Sequence, residues 1–251
     1  MICVGGRAAL YGEVWYDEEP PRQAPVDVVV FRQRRTPAAD LPCCPRLSLV
    51  TDLSVPPHQL TLPFGKDCRY KIKRADARDG LQMEYIAEPR PRLEEFQRFF
   101  DAFAGQRIVE PCDQPWLTAA CEARQLSLSV ASRDGAALVW HAYVIAGSTA
   151  GLMYSASHFR EGDKEYRALV GRANRWLHWR SMLALRDLGL LRYDWGGLFD
   201  DESTPVRAGI NGFKRDFGGV QQQSFDSTMA TSLRGRIYLP LRDAWRRLTA
   251  A

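Results

Sequence analysis

Two histidines lie where a general base could act. His141 stands inside the apolar run Ala136–Ala146, which predicts a buried strand, and His158 directly follows the next predicted strand, Gly151–Ser157. Because imidazole titrates near neutrality, His141 is the first candidate to take a proton from a nucleophile and His158 is the second. A histidine inside an apolar strand is also often a hydrogen-bonded core residue, so both interpretations stay open.

A carboxylate and an amine follow later in the chain. Asp194 lies near the end of the predicted strand Leu190–Trp195, just before Gly196-Gly197. The carboxyl end of a strand before an α/β crossover is a common ligand position, although the aspartate could simply cap the following loop. Lys214 lies in the short predicted helix Val206–Phe217, where it is either a surface charge or a functional cation.

A polar loop leads into the helix predicted for Arg172–Leu188. The free N–H groups and the dipole of a helix start favour anions, and glycine lets a phosphate approach the backbone. The same segment is otherwise an ordinary helix start with a solvated basic face. The candidate donor-binding residues are Gly171, Arg172, Ala173, Asn174, Arg160 and His158.

The composition excludes several classes of protein. The chain has 251 residues, of which 45% are hydrophobic and 25% charged, with a net charge of +4 that is too small to indicate DNA binding. No apolar run approaches the length of a membrane span and the start lacks a signal-peptide pattern, so we expect no membrane insertion. The six cysteines and four histidines show no zinc-ligand spacing, so we expect no metal and reduced thiols in a cytoplasmic protein.

The elements that must position these residues form two parts. Residues 1–88 are rich in strand signals and proline-marked loops, and we predict a β-rich lobe there. Residues 89–251 predict two helices, a meander of three strands, and then helix, strand, helix, strand, a further short strand and a C-terminal helix. An antiparallel meander followed by an α/β crossover predicts a mixed sheet covered by helices.

Four short motifs occur together in a familiar order. They are Lys71-Ile72-Lys73-Arg74-Ala75, Asn174-Arg175-Trp176-Leu177-His178-Trp179, Tyr193-Asp194-Trp195-Gly196-Gly197 and Phe213-Lys214-Arg215-Asp216-Phe217-Gly218-Gly219. Over about Arg69 to Phe225 the chain resembles the acyl-CoA N-acyltransferase (GNAT-like) superfamily. Within it, the chain is similar to the branch of Fem-type aminoacyl transferases and related proteins of bacterial surface-polysaccharide clusters.

The resemblance implies an α/β fold of the GNAT-like type, with a central mixed sheet flanked by helices after a reduced β-rich N-terminal lobe. It implies an N-acyltransferase of polysaccharide or cell-wall biosynthesis, with acyl-CoA, an acyl carrier protein or aminoacyl-tRNA as donor and a small amine or amino sugar as acceptor. In that reaction His141 would be the base, Asp194 would orient the amine, and Lys214 would stabilise the oxyanion or a donor phosphate. The alternative is a GNAT-like binding module without catalysis, acting in a biosynthetic complex.

The resemblance also predicts strand neighbours. The strands Ala136–Ala146 and Gly151–Ser157 should be antiparallel, with Leu190–Trp195 beside the second. These last two should splay apart near Ser155, because donors in this superfamily enter through that gap.

Overall fold

One mixed sheet dominates the computed structural model, which describes residues 1–6, 8–38, 40–107, 110–158 and 162–249. Its strands are β1 (Ile2–Gly5), β2 (Leu10–Trp15), β3 (Val28–Arg34), β4 (Cys43–Asp52), β5 (Gln82–Ile86), β6 (Leu126–Arg133), β7 (Ala136–Ala146), β8 (Thr149–Ser157), β9 (Arg192–Gly197) and β10 (Val220–Ala230). The helices are α1 (Pro57–Leu60), α2 (Lys66–Arg78), α3 (Leu93–Arg107), α4 (Gln114–Glu122), α5 (Lys164–Asp187), α6 (Pro205–Arg215) and α7 (Leu233–Thr249), with a 3₁₀ turn at Arg90–Arg92. The predicted mixed α/β architecture is confirmed.

The sheet runs in the order β1-β2-β3-β10-β4-β9-β8-β7-β6-β5. The predicted meander is present as β6, β7 and β8, and α5 carries the chain over to β9, which lies parallel to β8. The last strand, β10, inserts between β3 and β4, so strands from before and after residue 88 belong to one sheet. The division into residues 1–88 and 89–251 stays a prediction.

Helices cover both faces of the sheet. On one face α2 and α5 pack on the sheet through a buried cluster that includes Trp176, Leu177 and Tyr193. On the other face α3 and α4 pack through a cluster that includes Phe96 and Trp140. The apolar stripe of α5 and the apolar side of α3 therefore both find a sheet surface to bury, as their helical spacing predicts.

The strands β8 and β9 separate early. Their pairing joins only Thr149–Gly151 to Arg192–Asp194, and β8 then continues to Ser157 along β7 alone. The predicted neighbours and the predicted gap are confirmed, although the strands part at Leu152 and not at Ser155. A bulge accompanies the separation, since Leu152 faces Tyr143 while Tyr154 faces Ala142.

Two boundaries differ from the predictions. The helix α5 begins at Lys164, eight residues before the predicted start, because the Asp163 side chain accepts the Tyr166 N–H and caps the helix there. The short strand predicted after Arg234 is helical, because the Ser232 hydroxyl accepts the Gly235 N–H and begins α7.

Candidate functional site

A cavity of about 460 Å³ opens in the gap between β8 and β9. The sheet supplies Leu152, Ser155, Ser157 and Trp195, α5 supplies Asn174 and His178, α3 supplies Phe103, and α6 supplies Pro205, Val206, Gly209, Ile210, Phe213 and Lys214. The wall is largely apolar, and its polar groups are concentrated where α5 faces the strands. We call this the gap cavity.

Asn174 and His178 reach the gap cavity together because of helical spacing. Residues four apart lie on one face of a helix, and this face of α5 packs on the sheet. The spacing is visible in the sequence, but His178 is not among the predicted site residues. Its neighbours Trp176 and Leu177 are core residues, so the histidine is easily read as part of the same apolar stripe.

His141 lies behind the wall of the gap cavity and is fully buried. Its Nε2 lies 2.9 Å from the Asn174 Oδ1, and its Nδ1 lies 3.0 Å from the Tyr143 hydroxyl. An amide oxygen can only accept, so Nε2 donates and, in the neutral ring, Nδ1 accepts from Tyr143. Burial lowers the pKa of His141 to about 4. Both nitrogens are thus hydrogen-bonded within the core, and His141 does not line the gap cavity. Its role as the base stays a prediction.

His178 stacks on His141, with ring centroids 4.0 Å apart, and it does line the gap cavity. Its Nδ1 lies 2.8 Å from the Tyr193 hydroxyl. Its Nε2 is buried and has no hydrogen-bond partner among the described residues. Burial, followed by the proximity of His141, lowers the pKa of His178 well below 6.5, so the ring is neutral at physiological pH.

The Asn174 Oδ1 fixes the direction of the hydrogen bonds at His141. The His141 Nε2 donates to Asn174, so the Tyr143 hydroxyl donates to Nδ1. Between His178 and Tyr193, either the Nδ1–H or the hydroxyl can be the donor. When Nδ1–H donates, the neutral His178 ring carries its lone pair on Nε2.

Lys214 is the cation of the gap cavity. Its Nζ donates to the Gly197 carbonyl over 2.7 Å. Burial lowers the pKa of Lys214 to about 8, although the charge of Asp194 raises it in part. The ammonium is therefore held at the end of β9 in an environment where a nearby negative charge would stabilise it.

Asp194 is only 3% exposed and does not line the gap cavity. Its Oδ1 accepts the Gly196 N–H at 2.8 Å, which fixes the turn that leads to Gly197 and so to Lys214. Burial raises the pKa of Asp194 to about 6, and the Gly196 N–H and the Lys214 charge oppose that rise. The structure thus gives Asp194 the capping position that was the alternative interpretation of the sequence.

The predicted phosphate site at Gly171–Asn174 is not at a helix start. These residues lie in the second and third turns of α5, where backbone N–H groups bond within the helix. Ala173 is fully buried, and Arg172 binds both carboxylate oxygens of Asp79 at 2.6 and 3.0 Å. Of the four residues only Asn174 reaches the gap cavity.

The two other donor-site candidates precede α5. The ring of His158 stacks on that of Phe99 on α3, with centroids 3.9 Å apart, away from the lining of the gap cavity. Arg160 lies outside the described residues. Within the described ranges no group of three or more His, Cys, Asp or Glu side chains could hold a metal ion.

A second cavity, of about 400 Å³, lies on the opposite side of β8. Met153 and Tyr154 line it, whereas Leu152 and Ser155 line the gap cavity, so the bulged strand separates the two spaces. The remaining lining residues are Glu13, Trp15, Arg32, Gln33, Arg46, Asp113, Trp116, Gly197 and Asp226. We call it the rear cavity.

The rear cavity is polar and partly unsatisfied. Arg32 pairs with Glu13 at 2.7 Å, and the outer Arg46 pairs with Asp226 at 3.1 Å. The Trp15 Nε1 and the Gln33 Oε1 are buried without a partner among the described residues. The aromatic side chains and the charged pairs of the rear cavity suit a polar ligand such as a sugar.

Solved structures with a similar fold exist, although a scan against family models and a comparison with curated protein sequences give no match. FemX superposes with a TM-score of 0.60 over 77% of this chain at 17% identity. The C-terminal domain of a putative lysylphosphatidylglycerol synthetase from Agrobacterium fabrum gives 0.55 over 86% at 16% identity, covering 72% of that chain. L-PGS from Bacillus licheniformis gives 0.52 over 86% at 13% identity, also covering 72% of that chain.

This chain spans 63% of the length of FemX. At these identities the likeness concerns the fold alone. The chain has the fold that FemX shares with the lysylphosphatidylglycerol synthetase domain.

Proposed function

We propose that this protein transfers an acyl or aminoacyl group from an activated donor to an amine in the gap between β8 and β9. The observation that carries the proposal is the unpaired Nε2 of His178 in the gap cavity, beside Asn174 and Lys214. A base, a hydrogen-bond donor and a cation are the groups that acyl transfer requires. The shared fold with FemX and the lysylphosphatidylglycerol synthetase domain supports the same class of reaction.

The donor arm would lie in the gap cavity. Its apolar wall from α6 suits a long flexible arm, and β8 beyond Gly151 has no β9 partner in the described sheet, which leaves backbone groups available to amides of that arm. Acyl-CoA, an acyl carrier protein and aminoacyl-tRNA all remain candidate donors. A neighbour named for making lysylphosphatidylglycerol makes an aminoacyl donor the first to test.

The acceptor would approach from the rear cavity. Its aromatic side chains and charged pairs suit an amino sugar or a similar polar amine, and Arg46, with a side chain 55% exposed, can bind an anionic substituent. The two substrates would then meet through the opening between β8 and β9 beyond Gly151, where the two strands are no longer paired. A role in polysaccharide or cell-wall biosynthesis in the bacterial cytoplasm is part of this proposal.

The chemical step is a direct attack of the amine on the donor carbonyl. The amine nitrogen attacks the carbonyl carbon of the thioester or ester, and Lys214 stabilises the oxyanion that forms. His178 Nε2 takes the proton that the amine nitrogen loses. The carbon–sulfur or carbon–oxygen bond then breaks, and His178 returns the proton to the departing thiolate or alkoxide. Asn174 orients His141, and the stacked His141 ring and the Tyr193 hydroxyl hold His178 in place.

The test replaces His178. We expect His178→Gln to lower kcat by about 10²–10⁴-fold in a transfer assay that pairs a panel of the three donor classes with an amine library, while donor affinity changes little. His58→Gln, a change of the same kind on the exposed helix α1, is the control. Thermal melting of each variant confirms that it folds. Full activity in a folded His178→Gln protein would remove His178 from the reaction.

The alternative function is a binding module without catalysis. The loss of the predicted phosphate site favours it, because Arg172 is already neutralised by Asp79. Mass spectrometry of the wild-type protein with the same donors and amines separates the two functions. Donor binding without product under all conditions would support the binding module.

A further inference from the structure

The C-terminal helix α7 exposes a continuous apolar stripe. Leu233, Ile237, Leu241 and Trp245 recur every fourth residue, and their exposed fractions are 74%, 58%, 65% and 68%. Residues at this spacing form one row along a helix. Four large apolar side chains in one exposed row differ from the scattered apolar residues of an ordinary surface.

The packing of α7 fixes which side faces outward. On the inner side the Tyr238 ring meets the Tyr11 ring edge-on with centroids 5.8 Å apart. Gly235 lies so close to the backbone of Asp27 that a side chain there would collide with the Asp27 carbonyl. The helix therefore rests on the sheet by its polar and small residues, and the apolar stripe has to point away.

The charge of α7 is strongly positive. Its sequence contains five arginines and a single acidic residue, Asp243, which pairs with Arg242 at 2.8 Å. Arg234 and Arg236 are exposed, and their positions in the helix place them on opposite sides of the stripe. An apolar row with a tryptophan, bordered by arginines, is the pattern of a helix that lies in the interface of an anionic bilayer.

We propose that α7 binds the surface of an anionic membrane, with its axis parallel to the bilayer and its apolar stripe among the acyl chains. The helix lies on the membrane and does not cross it, and no helix in the described part of the chain is long and apolar enough for a crossing. The surplus of arginine favours anionic lipid over a second copy of this chain, whose α7 would bring a like charge.

The proposal also orients the molecule. A cleft whose lining includes Tyr11 and the α7 residue Arg242 adjoins the rear cavity. The two share Glu13, Arg32, Asp113 and Trp116. A membrane at the outer side of α7 would therefore lie near the entrance to the rear cavity. This orientation rests on the proposed function, whereas membrane binding itself does not.

Vesicle sedimentation tests the binding directly. We expect the wild-type protein to sediment with vesicles of phosphatidylcholine and phosphatidylglycerol at low salt, and to bind pure phosphatidylcholine vesicles at least about tenfold more weakly. Leu241→Glu and Arg236→Gln should each lower binding to the anionic vesicles, Leu241→Glu by about tenfold or more. Leu62→Glu, at a residue 69% exposed in the α1–α2 connection, is the matched control and should bind like the wild type.

Light scattering after size-exclusion chromatography gives the second measurement. A monomer that binds anionic vesicles supports the proposal. The transfer activity of the Leu241→Glu protein on soluble substrates tests the proposed function separately from membrane binding. Equal binding of Leu241→Glu and wild type to the anionic vesicles would overturn the proposal. So would a wild-type dimer that Leu241→Glu dissociates, with no vesicle binding by either.

Discussion

At the scale of single residues, two stacked imidazoles differ in their hydrogen bonds. The Asn174 Oδ1 can only accept a hydrogen bond, and this orients the ring of His141 and the hydroxyl of Tyr143. The predicted base, His141, is the inner member of the pair. The outer member, His178, lines the gap cavity, and its Nε2 has no hydrogen-bond partner among the described residues.

The alkaline limb of the pH–rate profile should report Lys214. Burial lowers its pKa to about 8, so the ammonium fraction falls as the pH rises through 8, and we expect kcat/KM to fall there in the wild type. Lys214→Ala should lower kcat by about 10²–10³-fold and abolish that limb. Lys66→Ala, on the exposed side of α2, should keep both the rate and the limb. A limb near pH 8 that persists in Lys214→Ala would assign it to another group.

At the scale of elements, the early start of α5 converts a predicted phosphate partner into a structural residue. The side chains of Arg172 and Asp79 are only 11% and 8% exposed, and their ion pair joins α5 to the end of α2. Removing one partner leaves a buried charge without compensation. Arg172 thus ties two helices of one layer together.

Arg172→Ala should therefore lower the free energy of unfolding by about 3–5 kcal/mol and leave donor affinity unchanged in the folded protein. Urea unfolding and donor titration measure the two effects. The exposed pair Arg98–Glu94 is the control, where Arg98→Ala should cost at most about 1 kcal/mol. A folded Arg172→Ala protein with normal stability and much weaker donor binding would restore the phosphate role.

The turn after β9 offers a second element-level test. Gly196 has φ +72°, and a Cβ there would lie 3.1 Å from the Leu152 carbonyl oxygen. Gly196→Ala should cost about 1–3 kcal/mol and also lower kcat, because the displaced turn carries the carbonyl that holds Lys214. Gly135→Ala has a similar φ of +79° with open space around it, so it should cost stability without affecting kcat.

At the scale of the whole molecule, the sheet buries ionisable groups whose pKa shifts have opposite effects on stability at low pH. Burial lowers the pKa of His141 to about 4. Burial also lowers the pKa of His178 well below its ordinary value of 6.5. The unfolded chain then binds more protons than the folded one as the pH falls below 6.5, so stability is lost through that window. Asp194, with a pKa raised to about 6, has the opposite sign over the same range, because its folded form binds the extra proton.

The two histidines should outweigh the aspartate. At pH 5 His141 alone costs about 2 kcal/mol relative to neutral pH, His178 adds to it, and Asp194 returns about 1 kcal/mol. We expect Tm to fall between pH 7 and pH 5, and to fall further in Asp194→Asn, which lacks the offset. Scanning calorimetry of both proteins measures the slopes. A Tm of Asp194→Asn that is the same at both pH values would contradict the neutral state of the buried histidines.

The sequence predicts the features that depend on interactions between residues close together in the chain. Hydrophobic periodicity and turn residues are local, and they were enough to predict β7 and the meander. The prediction starts α5 at Arg172, after Gly171, whereas the buried neighbours Val170 and Ala173 stabilise the helix through that glycine.

By itself, the sequence determined the mixed sheet and the order of its central strands. Its motifs carried the resemblance to Fem-type transferases, and it placed Asn174 and Lys214 among the candidate site residues. Only the tertiary structure decided which histidine faces the gap cavity, that Arg172 is neutralised, and that the stripe of α7 points outward. Hydrogen-bond direction, burial and ion pairing join residues far apart in the chain. No local pattern reports them, because the partner that settles each one is brought into contact only by folding.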